Sequence, residues 1–241
     1  MQFYFIRHAQ SENNLLWIET GSHDGRSADP DLTPTGRKQA ETLAQYLQAP
    51  AAVPKSPTGL DLQNIGGFHF THLYCSLMLR AVVTGTVVAR ATGLPLVAWE
   101  DVHETGGMHC KDETTGGRVG LPGKNRSYFE SHFPDLVLPP SLGEEGWWNR
   151  PFEENEERPQ RARRVLRELL DKHGNTEDRV AIISHGGFYN QLMRAILDLP
   201  EAGTFGFTLN NTAIARIDFE NDWIWAVYLN RVDHLPRDLI T

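Results

Sequence analysis

Arg7 and His8 stand directly behind a short apolar run, Phe3 to Ile6, and His185 follows a second such run in the same way. A histidine beside an arginine at the end of a buried strand suits nucleophilic attack on a phosphorus centre. Imidazole attacks only when neutral, and Arg7 and Arg80 push His8 toward that form by like-charge repulsion. The same two guanidinium groups suit phosphoryl oxygens, because a planar fork makes two charge-assisted bonds, each contributing about 1.5–3 kcal/mol. His185, with the backbone N–H groups of Gly186 and Gly187 at a helix start, would complete an anion cradle. Taken singly, His8 and His185 read more simply as core histidines with satisfied ring nitrogens. Only their convergence makes chemistry of them.

That convergence depends on the elements that carry them. Residues 3–6 predict a strand buried on both faces. Thr33-Pro34 predicts an N-cap and a first helical residue, and Ala40, Leu43, Ala44 and Leu47 recur at helical spacing until about Gln48. A strand is expected over 70–75, a helix over 77–92 closed by Gly93, and a strand over 95–99. A helix over 156–173 carries Val165, Leu166, Leu169 and Leu170 on one face, with Gly174 just beyond its end. Residues 179–183 then predict a buried strand, 188–197 a helix, and 212–219 with 223–229 a hairpin across Glu220-Asn221-Asp222. Strands alternating with helices predict an α/β fold of three layers, helices on both faces of a mainly parallel central sheet, with the hairpin as an antiparallel edge. One domain is expected over 1–241, interrupted by aperiodic insertions at about 49–69 and 106–152. Ligands of such sheets bind beyond the carboxyl ends of the strands, where residues 7–8, 76–80 and 185–186 all fall.

Composition narrows the classes of partner. Lys and Arg number 23 against 31 Asp and Glu, so the chain offers no broad basic surface to nucleic acid or an anionic membrane, and an anionic ligand needs a local pocket. Cys75 and Cys110 are too few for a disulfide framework, and a reducing compartment is the expectation. Arg7 comes too early for a signal-peptide core, and no apolar run approaches the ~20 residues of a spanning helix, which predicts a cytoplasmic protein. An edge hairpin permits a homodimer without requiring one. His103, His109 and Cys110 match no standard zinc spacing, and the arginines already supply positive charge, so neither metal nor cofactor is expected. In the second insertion, Trp147 and Trp148 read as anchors. Lys111, Arg118, Lys124, Arg126 and Arg150 read as solvated charges, unless one or two reach over the crevice.

Four blocks occur in order: Arg7-His8-Ala9-Gln10-Ser11-Glu12-Asn13-Asn14, Leu32-Thr33-Pro34-Thr35-Gly36-Arg37-Lys38-Gln39-Ala40, Ser76-Leu77-Met78-Leu79-Arg80-Ala81-Val82-Val83-Thr84 and Ser184-His185-Gly186-Gly187. Together they resemble branch 1 of the histidine phosphatase superfamily, the phosphoglycerate-mutase-like fold, from residue 3 to about 195, although the insertion at 106–152 resembles nothing specific. The resemblance implies that His8 is phosphorylated in the catalytic cycle and that Arg7, Arg80 and His185 bind the phosphoryl group. It also implies that Asn14 points into the phosphate pocket and that Ser11 donates one more hydrogen bond. Gln10 stands where the mutases commonly have glutamate, which implies a less acidic pocket. Glu104, in Val102-His103-Glu104-Thr105-Gly106-Gly107, matches the general acid of this branch, whereas the histidine acid phosphatases carry an aspartate where Gly186 stands; Asp101 reads as an exposed loop carboxylate.

The function this implies is a metal-independent phosphomonoesterase that hydrolyses a small phosphorylated metabolite through phosphohistidine. A phosphoglycerate-type mutase is the alternative, but the Glu-Arg-x-Tyr-Gly stretch of such mutases is not found after the first helix, where the 49–67 loop stands. A non-catalytic member that binds a phosphorylated ligand is the third reading; it would have lost the histidine, an arginine or the acid, and all are present. The contacts that choose the substrate are expected from residues 106–152.

Overall fold

The strands and helices follow from short apolar runs that alternate with amphipathic stretches. The computed structural model describes residues 1–48, 61–200 and 203–241. In chain order the elements are β1 (Gln2–Arg7), α1 (Glu12–Thr20), α2 (Pro34–Gln48), β2 (His72–Cys75), α3 (Leu79–Thr92), β3 (Leu96–Ala98), β4 (His109–Lys111) and β5 (Arg118–Gly120). They continue as α4 (Arg126–His132), β6 (Leu136–Val137), α5 (Glu157–His173), β7 (Arg179–Ser184), α6 (Gly186–Ile196), β8 (Ile214–Glu220) and β9 (Trp223–Arg231).

Seven strands form one sheet in the order β6-β3-β2-β7-β1-β8-β9, parallel from β6 through β1 and antiparallel at β8 and β9. Both faces are covered, and β1 shows why its sequence is apolar throughout: Tyr4 and Ile6 pack with Leu43 of α2 and Val82 of α3, while Phe3 and Phe5 pack with Val165 of α5 and Leu192 of α6. The expected three-layer α/β/α arrangement with an antiparallel edge is therefore present. Strands β4 and β5 pair separately. No helix among the described residues is long and apolar enough to cross a membrane.

Three features escape sequence periodicity. Helix α1 buries none of its residues, so it has no apolar stripe to announce it; it is specified by its ends, a capping box between Ser11 and Asn14 and a left-handed Gly21. Strand β6 and the β4–β5 pair are too short to show a period. Gly174 stands just beyond the end of α5 as expected, with φ −59°, and Leu170, expected on the apolar face, is exposed on that helix. The hairpin turns as expected, with Asn221 at φ +52°. Residues 49–60 of the first insertion lie outside the described residues. The remainder of that insertion is fastened to the sheet: Asn64 donates to the Tyr4 hydroxyl at 2.8 Å and accepts from the Tyr228 hydroxyl at 2.8 Å.

Helix α2 leaves Thr33 as its cap, with the hydroxyl accepting from Gly36 N–H at 2.9 Å. A Cβ on Gly36 would lie 2.0 Å from the Gln10 carbonyl oxygen, so α2 can approach the loop behind His8 only through a glycine. Helix propensity alone favours alanine here by roughly 1 kcal/mol. Gly36→Ala is nevertheless expected to destabilise the protein by about 1–3 kcal/mol, read as a lower urea midpoint.

Candidate active site

Parallel pairing sets Arg7 opposite Ser184, so the residues that follow each strand, His8 and His185, lie abreast with ring centroids 5.1 Å apart. Arg80, in the first turn of α3, donates from Nε to His8 Nε2 at 3.1 Å, and His8 Nδ1 lies 2.7 Å from the Ala9 carbonyl. A guanidinium only donates, so Nε2 must hold its lone pair and Nδ1 the proton. The ring is thus neutral, with its unprotonated nitrogen toward the arginine. His8 is held well below the ordinary histidine range, first by burial and then by Arg80 and Arg7. Repulsion by the arginines acts as expected, but desolvation is the larger cause.

The backbone around this ring is pinned by groups to which the sequence assigned no role. Asn211 donates from Nδ2 to the His8 carbonyl at 2.9 Å. Thr84 accepts from Ala9 N–H at 3.1 Å and donates to the Arg80 carbonyl at 2.7 Å, which ties β1 to α3. Met78 cannot cap α3, and Asp29 takes that place by accepting from Leu79 N–H at 2.9 Å. Burial raises the Asp29 carboxyl, while the nearby Arg80 draws it down. Apart from the bond between Thr84 and Arg80 within α3, these contacts join segments far apart in sequence, and hence have no sequence signal.

Arg7 donates to the Leu209 carbonyl at 2.5 Å. Its Nε and both ring nitrogens of His185 are buried with no hydrogen-bond partner. Each unpaired buried polar atom costs about 1–3 kcal/mol, and three at one spot mark a site shaped for an anion rather than for stability. His185 is also held well below the ordinary range, by burial first and then by Arg80.

The anion cradle expected from Gly186 and Gly187 is corrected in one respect. Gly187 N–H and Phe188 N–H, at the start of α6, donate to the Glu104 carboxylate at 3.1 and 3.0 Å, and Thr105 N–H donates to it at 2.7 Å. Two of the helix's free donors therefore hold the Glu104 side chain in place. A Cβ on Gly187 would lie 2.3 Å from Glu104 Oε1, which is why glycine stands there. Asp101 lies apart, paired with Arg164 at 2.8 Å.

Other expectations need correction too. Ser11 lines the cleft, but its hydroxyl donates to Asn14 Oδ1 at 3.1 Å and caps α1. Asn14 Oδ1 also accepts from Asn211 at 3.1 Å, which leaves its Nδ2 as the group able to donate to a ligand. Gln10 does not make the cleft less acidic, because its buried side chain accepts from the Thr33 hydroxyl at 2.7 Å. In the second insertion Trp147 and Trp148 are buried anchors, and the Trp148 ring packs edge-on to His103 at 4.6 Å. Arg118, Lys124 and Arg150 lie over the rings of Phe152, Tyr128 and Trp148. Arg126 is bonded to Glu130, and Lys111 is exposed. No residue of 106–152 lines the cleft; its outer wall comes from Asn13, Trp17, His23, Arg26, Phe207 and Leu209.

Among the described residues, the group of three side chains with metal-ligating atoms close together is His72, His173 and Asp178. It sits at the amino ends of β2 and β7, away from this cleft, and both His173 nitrogens are engaged, by Asp178 at 2.8 Å and Tyr74 at 3.0 Å. His103 and His109 instead use Nδ1 on the backbone carbonyls of Glu104 and Gly107.

Comparison with known proteins agrees with the fold. The phosphoserine phosphatase of Entamoeba histolytica, solved with 3-phosphoglyceric acid, superposes with a TM-score of 0.60 at 19% identity, covering 98% of this chain and 99% of that one. The alpha-ribazole phosphatase of Shigella flexneri gives 0.61 at 18%, covering 96% of each chain. The mycobacterial glucosyl-3-phosphoglycerate phosphatase gives 0.53 at 19%, covering 90% and 89%. At such identities these likenesses carry the fold alone. No functionally curated protein matches the chain by sequence. The sequence profile of one family does match, over residues 3–58 and 62–231, broken inside the first insertion and reaching past the last of the four blocks. With that coverage, the chain belongs to the histidine phosphatase superfamily, branch 1.

Proposed function

We propose that the protein is a phosphomonoesterase that hydrolyses a small phosphorylated metabolite in two steps through His8. The observation that carries this reading is the Arg80–His8 contact, which leaves a buried imidazole neutral, with the lone pair on Nε2 and a cation 3.1 Å from it. In the first step Nε2 attacks phosphorus in line and the P–O bond to the alcohol breaks. The leaving oxygen takes a proton from Glu104. In the second step water attacks the phosphohistidine, gives a proton to Glu104, and the P–N bond breaks to release phosphate and restore the lone pair. Arg7, Arg80 and His185, with Asn14 Nδ2 and the Gly186 N–H, surround the phosphoryl oxygens and stabilise the charge that builds on them. The two arginines perform the work a metal would do, so the reaction requires none.

Phosphate release from p-nitrophenyl phosphate is expected to persist in EDTA and to vanish in His8→Ala; full activity in that variant would refute the mechanism. With 3-phosphoglycerate the expected product is free phosphate, whereas formation of 2-phosphoglycerate would make the protein a mutase. Glu104→Gln should retain a slow reaction, lowered about 10²–10⁴-fold. Gly187→Ala should displace the Glu104 carboxylate and lower kcat roughly tenfold or more, with phosphohistidine formation slowed most for poor leaving groups. The depressed His8 pKa sets the sign of the pH dependence. The neutral form survives as pH falls through 6.5 and is lost only below the depressed value. Rapid-quench measurement should therefore show phosphorylation of His8 undiminished from pH 7.5 to about 6.

A further inference from the structure

The outer wall of the cleft holds a group that phosphoryl chemistry does not use. Trp17 lies on α1, a helix with no buried residue, so its indole is not needed to build a core. It is 50% exposed, yet it is held: the His23 ring stacks on it with centroids 4.6 Å apart and planes 21° from parallel. Both rings line the same cleft as His8 and Arg80. Arg26 lines it as well, and its guanidinium makes no hydrogen bond or salt bridge among the described residues. Across the cleft stands Phe207, whose backbone is fixed by two bonds to the Asn190 side chain at 2.7 and 2.9 Å.

A large indole left open to solvent, stiffened by a stacked partner and lining the same cleft as the Arg26 cation, is a surface that favours a flat π-system. An aliphatic alcohol would leave that surface wet. We propose that Trp17, with His23 behind it and Arg26 at its side, forms a leaving-group subsite, and that the substrates are phosphomonoesters whose alcohol carries a planar aromatic ring. The ring stacks on Trp17, acceptor atoms on its edge meet Arg26, and the phosphoryl group reaches His8. This inference rests on the proposed phosphatase reading and deepens it by naming the substrate class.

The test separates binding from turnover. Calorimetric titration of 2-(1-naphthyl)ethylphosphonate and ethylphosphonate reads binding without hydrolysis. The corresponding phosphate esters, which both leave as primary alkoxides of similar basicity, read kcat/KM without a leaving-group advantage. The naphthyl compound is expected to be preferred roughly tenfold or more in both measurements, the size of one aromatic stack. Trp17→Ala should bring the ratio close to one, Trp17→Phe should restore part of it, and His23→Ala should reduce it by releasing the indole. Equal binding of the two phosphonates, or a preference that survives Trp17→Ala, overturns the subsite. Preferential phosphonate binding that depends on Trp17, without hydrolysis of either ester, supports the subsite and overturns the phosphatase reading.

Discussion

The parallel pairing of β1 with β7 is the constraint on which the site depends. It sets Arg7 against Ser184 and so brings His8 beside His185, two residues that no local interaction could hold together. The His8 N–H donates to the Ser184 carbonyl at 2.9 Å, which continues the ladder one residue past the strand ends. Because both strands are buried on both faces, a one-residue slip would exchange Phe3 and Phe5 with Tyr4 and Ile6 between the two core layers. Core packing therefore enforces the register that the chemistry needs.

That register concentrates positive charge where water is scarce, and the fold offsets the cost in specific ways. The two imidazoles stay neutral, because burial and the arginines both oppose their protonation. Arg80 faces Asp29 and Glu104 as well as Arg7, and the attraction of the two acids counters its desolvation. Asp29 serves a second purpose by capping α3, the helix that carries Arg80. Strain at the site is thus expressed as unpaired polar atoms on Arg7 and His185.

Contacts that flank the insertion at 106–152 brace the loop that carries Glu104. Glu153 grips Arg161 of α5 through two bonds at 2.5 and 2.8 Å and accepts from Gly106 N–H at 3.0 Å. Arg161 in turn donates to the carbonyls of Asp101 and His103 at 2.7 and 3.0 Å. This buried pair fixes the backbone on both sides of Glu104, and the packed Trp148 ring explains Gly107, where a Cβ would lie 2.1 Å from the indole. A buried ion pair contributes little net stability, but here it specifies where a short loop must run.

The convergence of Arg7-His8, Arg80, Glu104 and His185 was foreshadowed in the sequence, because they stand near the ends of elements whose apolar periods are strong. The α/β layering was legible for the same reason, since runs such as 179–183 can only be buried strands beside amphipathic helices. What surrounds those groups was not. Helix α1 has no period, Gln10 and Ser11 turn to capping, Gly187 serves Glu104, and the wall of the cleft comes from 13–26 and 207–209 instead of from the insertion. Several of these are decided by contacts between segments distant along the chain, as when Gly187 meets Glu104 across 83 residues. A one-dimensional pattern records what a side chain can do and which face it prefers; only the packed structure decides which partner, among several within reach, takes each donor and acceptor.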